Sequence, residues 1–212
     1  MAMPATVMMA PIADESGPVT DDVVRRSPRE PEMLERAWAL PVASKYPRPP
    51  LWQSNPSACG PTAVANVLHS TGALEATADS VAEFGAGCFK GVCFGGLTLE
   101  KLATATRGAA PKWQVTALHT LTLEQFRDEL RQANALDRRL IINFHRGPLF
   151  GTGGGHHSPI AGYLEADDLV FVLDVNEHYH PWLVPAPRLY EAMHTVDPSS
   201  GELRGLLRIE LR

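Results

Sequence analysis

The chain has 212 residues, 44% of them hydrophobic, which is enough for one well-packed domain and too little for two generous ones. A formal net charge of -5 without any run of Lys or Arg leaves no footprint for nucleic acid or an anionic membrane. Three cysteines, Cys59, Cys88 and Cys93, are an odd number, so a disulfide framework is a poor account of them and a reducing, cytoplasmic setting is the simpler expectation.

In chain order, residues 1–28 mix Pro, Gly and acidic residues without periodicity and read as a disordered leader. Met1 to Pro11 is mildly apolar, but it lacks a basic start and is broken by prolines. It is a weak signal-peptide candidate and no transmembrane helix. The domain is expected over 29–212. Pro31 opens a short helix through Trp38, and the proline-rich Tyr46 to Trp52 must be extended, delivering Gln53 toward Cys59.

A helix starts at Cys59 and ends near Gly72; further helices follow at Thr98 to Ala103 and Thr122 to Leu130, the latter with a capping box in Thr122 and Gln125. The period then changes. Leu140 to Phe144 reads as a strand, Ser158 to Leu164 with Leu169 to Leu173 as a hairpin, and Leu203 to Leu211 as a final strand. Helices first and antiparallel strands second make an α+β arrangement. Ideal pairing about the hairpin places Asp174 opposite Pro159, so a bend or bulge near Ser158–Pro159 is expected if His156 and Asp174 are to meet.

The chemistry starts at Cys59. A thiol at the first turn of a helix gains from the backbone N–H groups and the helix dipole, both of which favour thiolate. His156 and Asp174 follow it in chain order, a base and a group to orient it. Cys88, Cys93, His178 and His180 could supply metal ligands, but their spacings match no established zinc pattern, and no metal site is expected. The glycine run Gly151 to Gly155 lacks a following Lys-Ser or Lys-Thr. It reads as backbone making room at a cleft.

The blocks Gln53-Ser54-Asn55-Pro56-Ser57-Ala58-Cys59-Gly60, Lys90-Gly91-Val92-Cys93-Phe94-Gly95, Phe144-His145-Arg146-Gly147, Thr152 to Tyr163 and Leu173-Asp174-Val175 occur in that order. Together they resemble the catalytic domain of phytochelatin synthases. Trp182-x-Val184-Pro185 and the stretch from Thr195 through Asp197 to Arg204-Gly205 continue the resemblance. What it implies is a papain-like fold and acyl transfer on glutathione. The thiolate attacks the peptide bond before glycine, glycine leaves, and water or a second peptide takes the γ-glutamylcysteinyl group. Carried over, Cys59 is the nucleophile, His156 the general base and acid, Asp174 its orienting group and Gln53 the oxyanion-hole donor. His157 would be an aromatic replacement packing beside His156. Arg146 and Asp197 are candidates for binding the ends of the γ-glutamyl group, with Gly155 at the same subsite, or equally for structural pairing.

Two departures qualify that implication. The resemblance is to short bacterial members, in which hydrolysis dominates over polymer growth, and Glu177 stands where the family usually carries a basic residue. An acyl or peptidyl transferase on another thioester or peptide, and a thiol-peptide or metal-binding protein without turnover, are the rival expectations. No cofactor is expected, metal entering only as a Cd or Zn thiolate of the substrate. A homodimer is compatible with the sequence.

Overall fold

Pro31 at the first turn and apolar groups at helical spacing produce α1 (Pro31–Trp38) at the start of the computed structural model, which describes residues 31–211 apart from 86, 90 and 91. The leader expected over 1–28 lies outside the described residues. Next come α2 (Cys59–His69), α3 (Ala78–Ala82), a hairpin of β1 (Cys88–Phe89) and β2 (Val92–Cys93), and α4 (Leu99–Ala109). The rest of the chain runs β3 (Gln114–Leu118), α5 (Leu123–Gln132), β4 (Arg138–His145), α6 (Gly147–Phe150), β5 (Gly155–Leu164), β6 (Leu169–Val172), β7 (Trp182–Pro185), α7 (Ala186–Met193) and β8 (Leu206–Glu210).

Among the described residues, six strands form one antiparallel sheet in the order β3-β8-β4-β5-β6-β7. Alternation along the strands sends one set of side chains to each face. Ile141, Phe171, Leu173, Leu207 and Ile209 pack with α1, α2 and α4, whereas Leu140, Ile142, Phe144, Val170 and Val172 pack with α5, α6 and α7. The α+β expectation holds. Its division into a helical half and a strand half is softened, since α5 to α7 cover the back of the sheet.

Cys59 to Leu68 are all buried, so α2 is enclosed on every side, as its apolar composition requires. Its large, fully buried polar residue, Asn66, is fully satisfied. The Asn66 amide donates to the carbonyls of Leu51 at 3.0 Å and Thr62 at 2.9 Å, and its oxygen accepts from the Leu51 N–H at 2.9 Å. That side chain clamps the extended strap to α2. Two residues on, the Gln53 N–H donates to the Val175 carbonyl at 2.8 Å, tying the strap to the chain just beyond β6.

The hairpin departs from expectation in one place. The register slips between Ile160 and Gly162, so the bulge sits at Ala161 and not at Ser158–Pro159. Pro159 stays in the ladder opposite Ile141, its carbonyl accepting from the Leu173 N–H at 2.9 Å. The missing proline N–H falls on the edge that β6 is leaving, so it costs no ladder bond.

The expectation for the cysteines is corrected for two of them: Cys88 and Cys93 form a disulfide, and Cys59 is the free thiol. The reason is the β1–β2 register, which pairs the two residues directly and brings their Cα atoms to 4.0 Å.

Candidate active site

A cleft of about 950 Å³ opens between the N-terminus of α2 and the ends of β4 and β5, with Cys59, Asn143, His157, Asp197 and Arg204 in its lining. Gly155 lines it too; the lining does not include Gln53, His156, Asp174, Arg146 or the exposed Glu177. Cys59 is 5% exposed. Burial pushes its thiol pKa up, and the backbone N–H groups of His157 and Gly60 and the Arg146 charge work in the opposite direction.

The two adjacent histidines of β5 take opposite faces, as strand geometry demands. His157 Nδ1 lies 3.9 Å from Cys59 Sγ. No hydrogen bond joins Cys59 to His156. Instead His156 Nε2 lies 3.0 Å from Asp174 Oδ1, with both groups buried. Phe144 packs edge-on against the His156 ring with centroids 5.6 Å apart.

Asp174 is fully buried and fully partnered. Arg146 donates to its two oxygens at 2.9 and 2.8 Å, Trp182 Nε1 donates at 3.0 Å and the Asn176 N–H at 2.9 Å. Burial alone would raise the carboxyl pKa; the charges of Arg146 and His156 outweigh it and hold the group well below the ordinary carboxylate range. Arg146 is itself stacked 3.7 Å from the Tyr179 ring. The expectation that Arg146 binds substrate is thereby corrected. Its guanidinium is committed to Asp174 as a bidentate fork and does not line the cleft.

Asp197 lines the cleft. Arg204 donates to it at 3.1 Å and also, at 3.1 Å, to the Asn143 oxygen, giving the cleft wall a paired cation and anion. Sequence reading missed three groups here. The sequence assigns no role to Arg204, gives His157 a packing role, and carries Asn143 inside an apolar run. A polar residue inside Leu140-Ile141-Ile142-Asn143-Phe144 was the available signal.

Gln53 has an orphaned Oε1, buried without a hydrogen-bond partner. Among the described residues no group of three or more His, Cys, Asp or Glu is arranged to hold a metal ion. None of the described helices is long and apolar enough to cross a membrane.

Comparison with known proteins adds to this geometry. The profile of the phytochelatin synthase family matches residues 19–206. A glutathione gamma-glutamylcysteinyltransferase 3 of Lotus japonicus is 37% identical over 116 residues, covering 54% of this chain and 24% of the relative. The glutathione gamma-glutamylcysteinyltransferase 1 of Triticum aestivum is 37% identical over 119 residues, 55% of this chain and 24% of the relative. The matched stretch thus spans about a quarter of each relative. Among solved structures, the peptidase domain of Streptococcus ComA, a bi-functional ABC transporter involved in a quorum-sensing pathway, superposes with a TM-score of 0.51 at 15% identity. That match covers 76% of this chain and 97% of the peptidase domain, and it shows a shared papain-like fold.

Proposed function

This chain belongs to the phytochelatin synthase family, and on that premise we propose that it transfers or hydrolyses the γ-glutamylcysteinyl group of glutathione through an acyl-enzyme on Cys59. The observation that carries the reading is the free, buried thiol at the N-terminus of α2, set in the cleft; the Asp174-held imidazole of His156 lies on the adjoining strand β5, outside the cleft lining.

His156 is the general base in this reading. Its Nε2 is occupied by Asp174, which fixes the ring and would stabilise the imidazolium, leaving Nδ1 to take the thiol proton. Sγ then attacks the carbonyl before glycine, forming the S–C bond. The oxyanion is met by the Cys59 backbone N–H and by the side-chain NH2 of Gln53, both donors. Collapse breaks the C–N bond, and His156 returns its proton to the departing glycine amine. Water, or the amine of a second peptide, then gives a proton to His156 and attacks the thioester carbonyl, and the S–C bond breaks to release the Cys59 thiolate and the acyl product.

The Asp197–Arg204 pair suits a γ-glutamyl group, which presents an ammonium and a carboxylate on one carbon. Metal enters as a thiolate of the substrate. The Cys88–Cys93 disulfide removes the premise on which a reducing, cytoplasmic setting was expected, so the compartment forms no part of this reading. Glu177, exposed and away from the cleft lining, gives no specific support to an acyl donor other than glutathione.

Incubation of purified protein with glutathione, following free glycine and the intact mass, tests the proposal. Glycine release with a thioester adduct in wild type, and neither in Cys59→Ala, is the expected result. Absence of both from wild type rejects it.

A further inference from the structure

His157 is the residue whose position the proposed reaction leaves unexplained. It is 3% exposed, its ring meets Cys59 Sγ at 3.9 Å through Nδ1, and its Nε2 is buried without a partner. The tautomer follows from that orphan. A buried N–H without an acceptor is costlier than a buried lone pair without a donor, so the ring proton belongs on Nδ1.

The surroundings agree. The cross-strand neighbour of His157 is Asn143, whose amide orientation is fixed because its oxygen accepts from Arg204 Nη1 at 3.1 Å. The Asn143 group left over is Nδ2, a donor, also buried without a partner. The positive charges of His156 and Arg204 add to burial in pushing the His157 pKa down to about 3, which keeps the ring neutral. A ring that already carries a proton on Nδ1 cannot accept one there from the thiol.

We infer that His157 is a hydrogen-bond donor to the Cys59 thiolate, completing with the backbone N–H groups of Gly60 and His157 a cradle for the sulfur anion that His156 generates. The inference rests on Cys59 being the nucleophile, and it divides the histidines by task. His156, backed by Asp174, moves the proton; His157, with no carboxylate behind it, stabilises the charge left on sulfur. The cradle answers a real need, since burial makes thiolate formation harder at Cys59. The charged and titratable groups that share the cleft with the pair are His145 at the end of β4 and Asp197 and Arg204 before β8; His156 on β5, Asp174 beyond β6 and Arg146 after β4 act on it electrostatically from outside the cleft lining.

The test is the rate of Cys59 alkylation by iodoacetamide against pH, with the site confirmed by peptide mass mapping. It is independent of glutathione turnover, so it stands or falls separately from the proposed reaction. His157→Phe is expected to move the thiol midpoint upward by about one pH unit or more, the worth of one hydrogen bond to an ion. His157→Asn, whose amide N–H can occupy the place of Nδ1, is expected to recover much of that shift. In turnover, His157→Phe should lower kcat with KM little changed. An unchanged or lowered midpoint in His157→Phe, or His157→Asn no better than His157→Phe, overturns the inference. Should His157→Phe fail to fold, His157→Val against His157→Asn makes the same comparison with side chains that fit a strand.

Discussion

Arg146 and Asp174 form a buried two-pronged ion pair, with side chains 6% and 0% exposed, directly behind the His156 imidazole. Neither charge faces solvent, so each depends on the other. The pair explains how a carboxylate can remain ionised at the back of a hydrophobic layer formed by Phe144, Phe150 and Trp182.

Arg146→Met should therefore act on the fold as well as on turnover. Leaving a buried carboxylate without its fork is expected to cost about 3–5 kcal/mol in urea unfolding. Glycine release should fall with it. Unchanged stability with a raised KM would return Arg146 to the substrate-binding role suggested by sequence.

Gly155→Ala should separate binding from folding. A Cβ at this position would lie 2.6 Å from Arg204 Nη1, the movable end of a long side chain. Displacing that guanidinium from Asn143 and Asp197 is expected to raise KM for glutathione roughly tenfold, the worth of a hydrogen bond to a charged group. Thermal unfolding should shift less than in Arg146→Met, because no backbone has to move and the displaced pair lies at the cleft wall. A large loss of melting temperature with KM intact would contradict this.

Stability should rise with pH through the histidine range. His156 and His157 both have pKa values lowered in the fold, chiefly by burial, so the unfolded chain binds protons that the folded chain refuses. The stabilisation is fully present above the unfolded value of about 6.5 and is lost as pH falls below it. Asp174, held low, adds its own loss only under about pH 4. Urea midpoints between pH 4.5 and 7.5 should show a slope of up to about 1.4 kcal/mol per pH unit for each histidine. His157→Phe should roughly halve it; an unaltered slope would mean that His157 is protonated in the folded protein.

Much of this arrangement was legible in residue order. The capping box at Thr122 and Gln125, the helix at Cys59 and the hairpin turning at Glu165 to Asp168 all rest on local signals, and all are present. The strand β3 was not, because Gln114 to Leu118 is a short run paired on one side alone, by β8, with little alternation to detect. Prolines at both ends hid β7. At the site, the meeting of His156 and Asp174 was readable from the hairpin. The disulfide and the cleft-facing role of His157 were not. One depends on the exact register of a two-residue ladder, and the other on which face of β5 meets α2, a tertiary fact with no local sequence mark.

The amide of Asn66 grips both the N–H and the carbonyl of Leu51, imitating one rung of a β-ladder with a side chain. That rung grows from the same helix that carries Cys59, so the strap bearing Gln53 is anchored to the element that positions the thiol. A slip of the strap by a single residue would require that rung to be broken first, together with the Gln53 N–H bond to Val175.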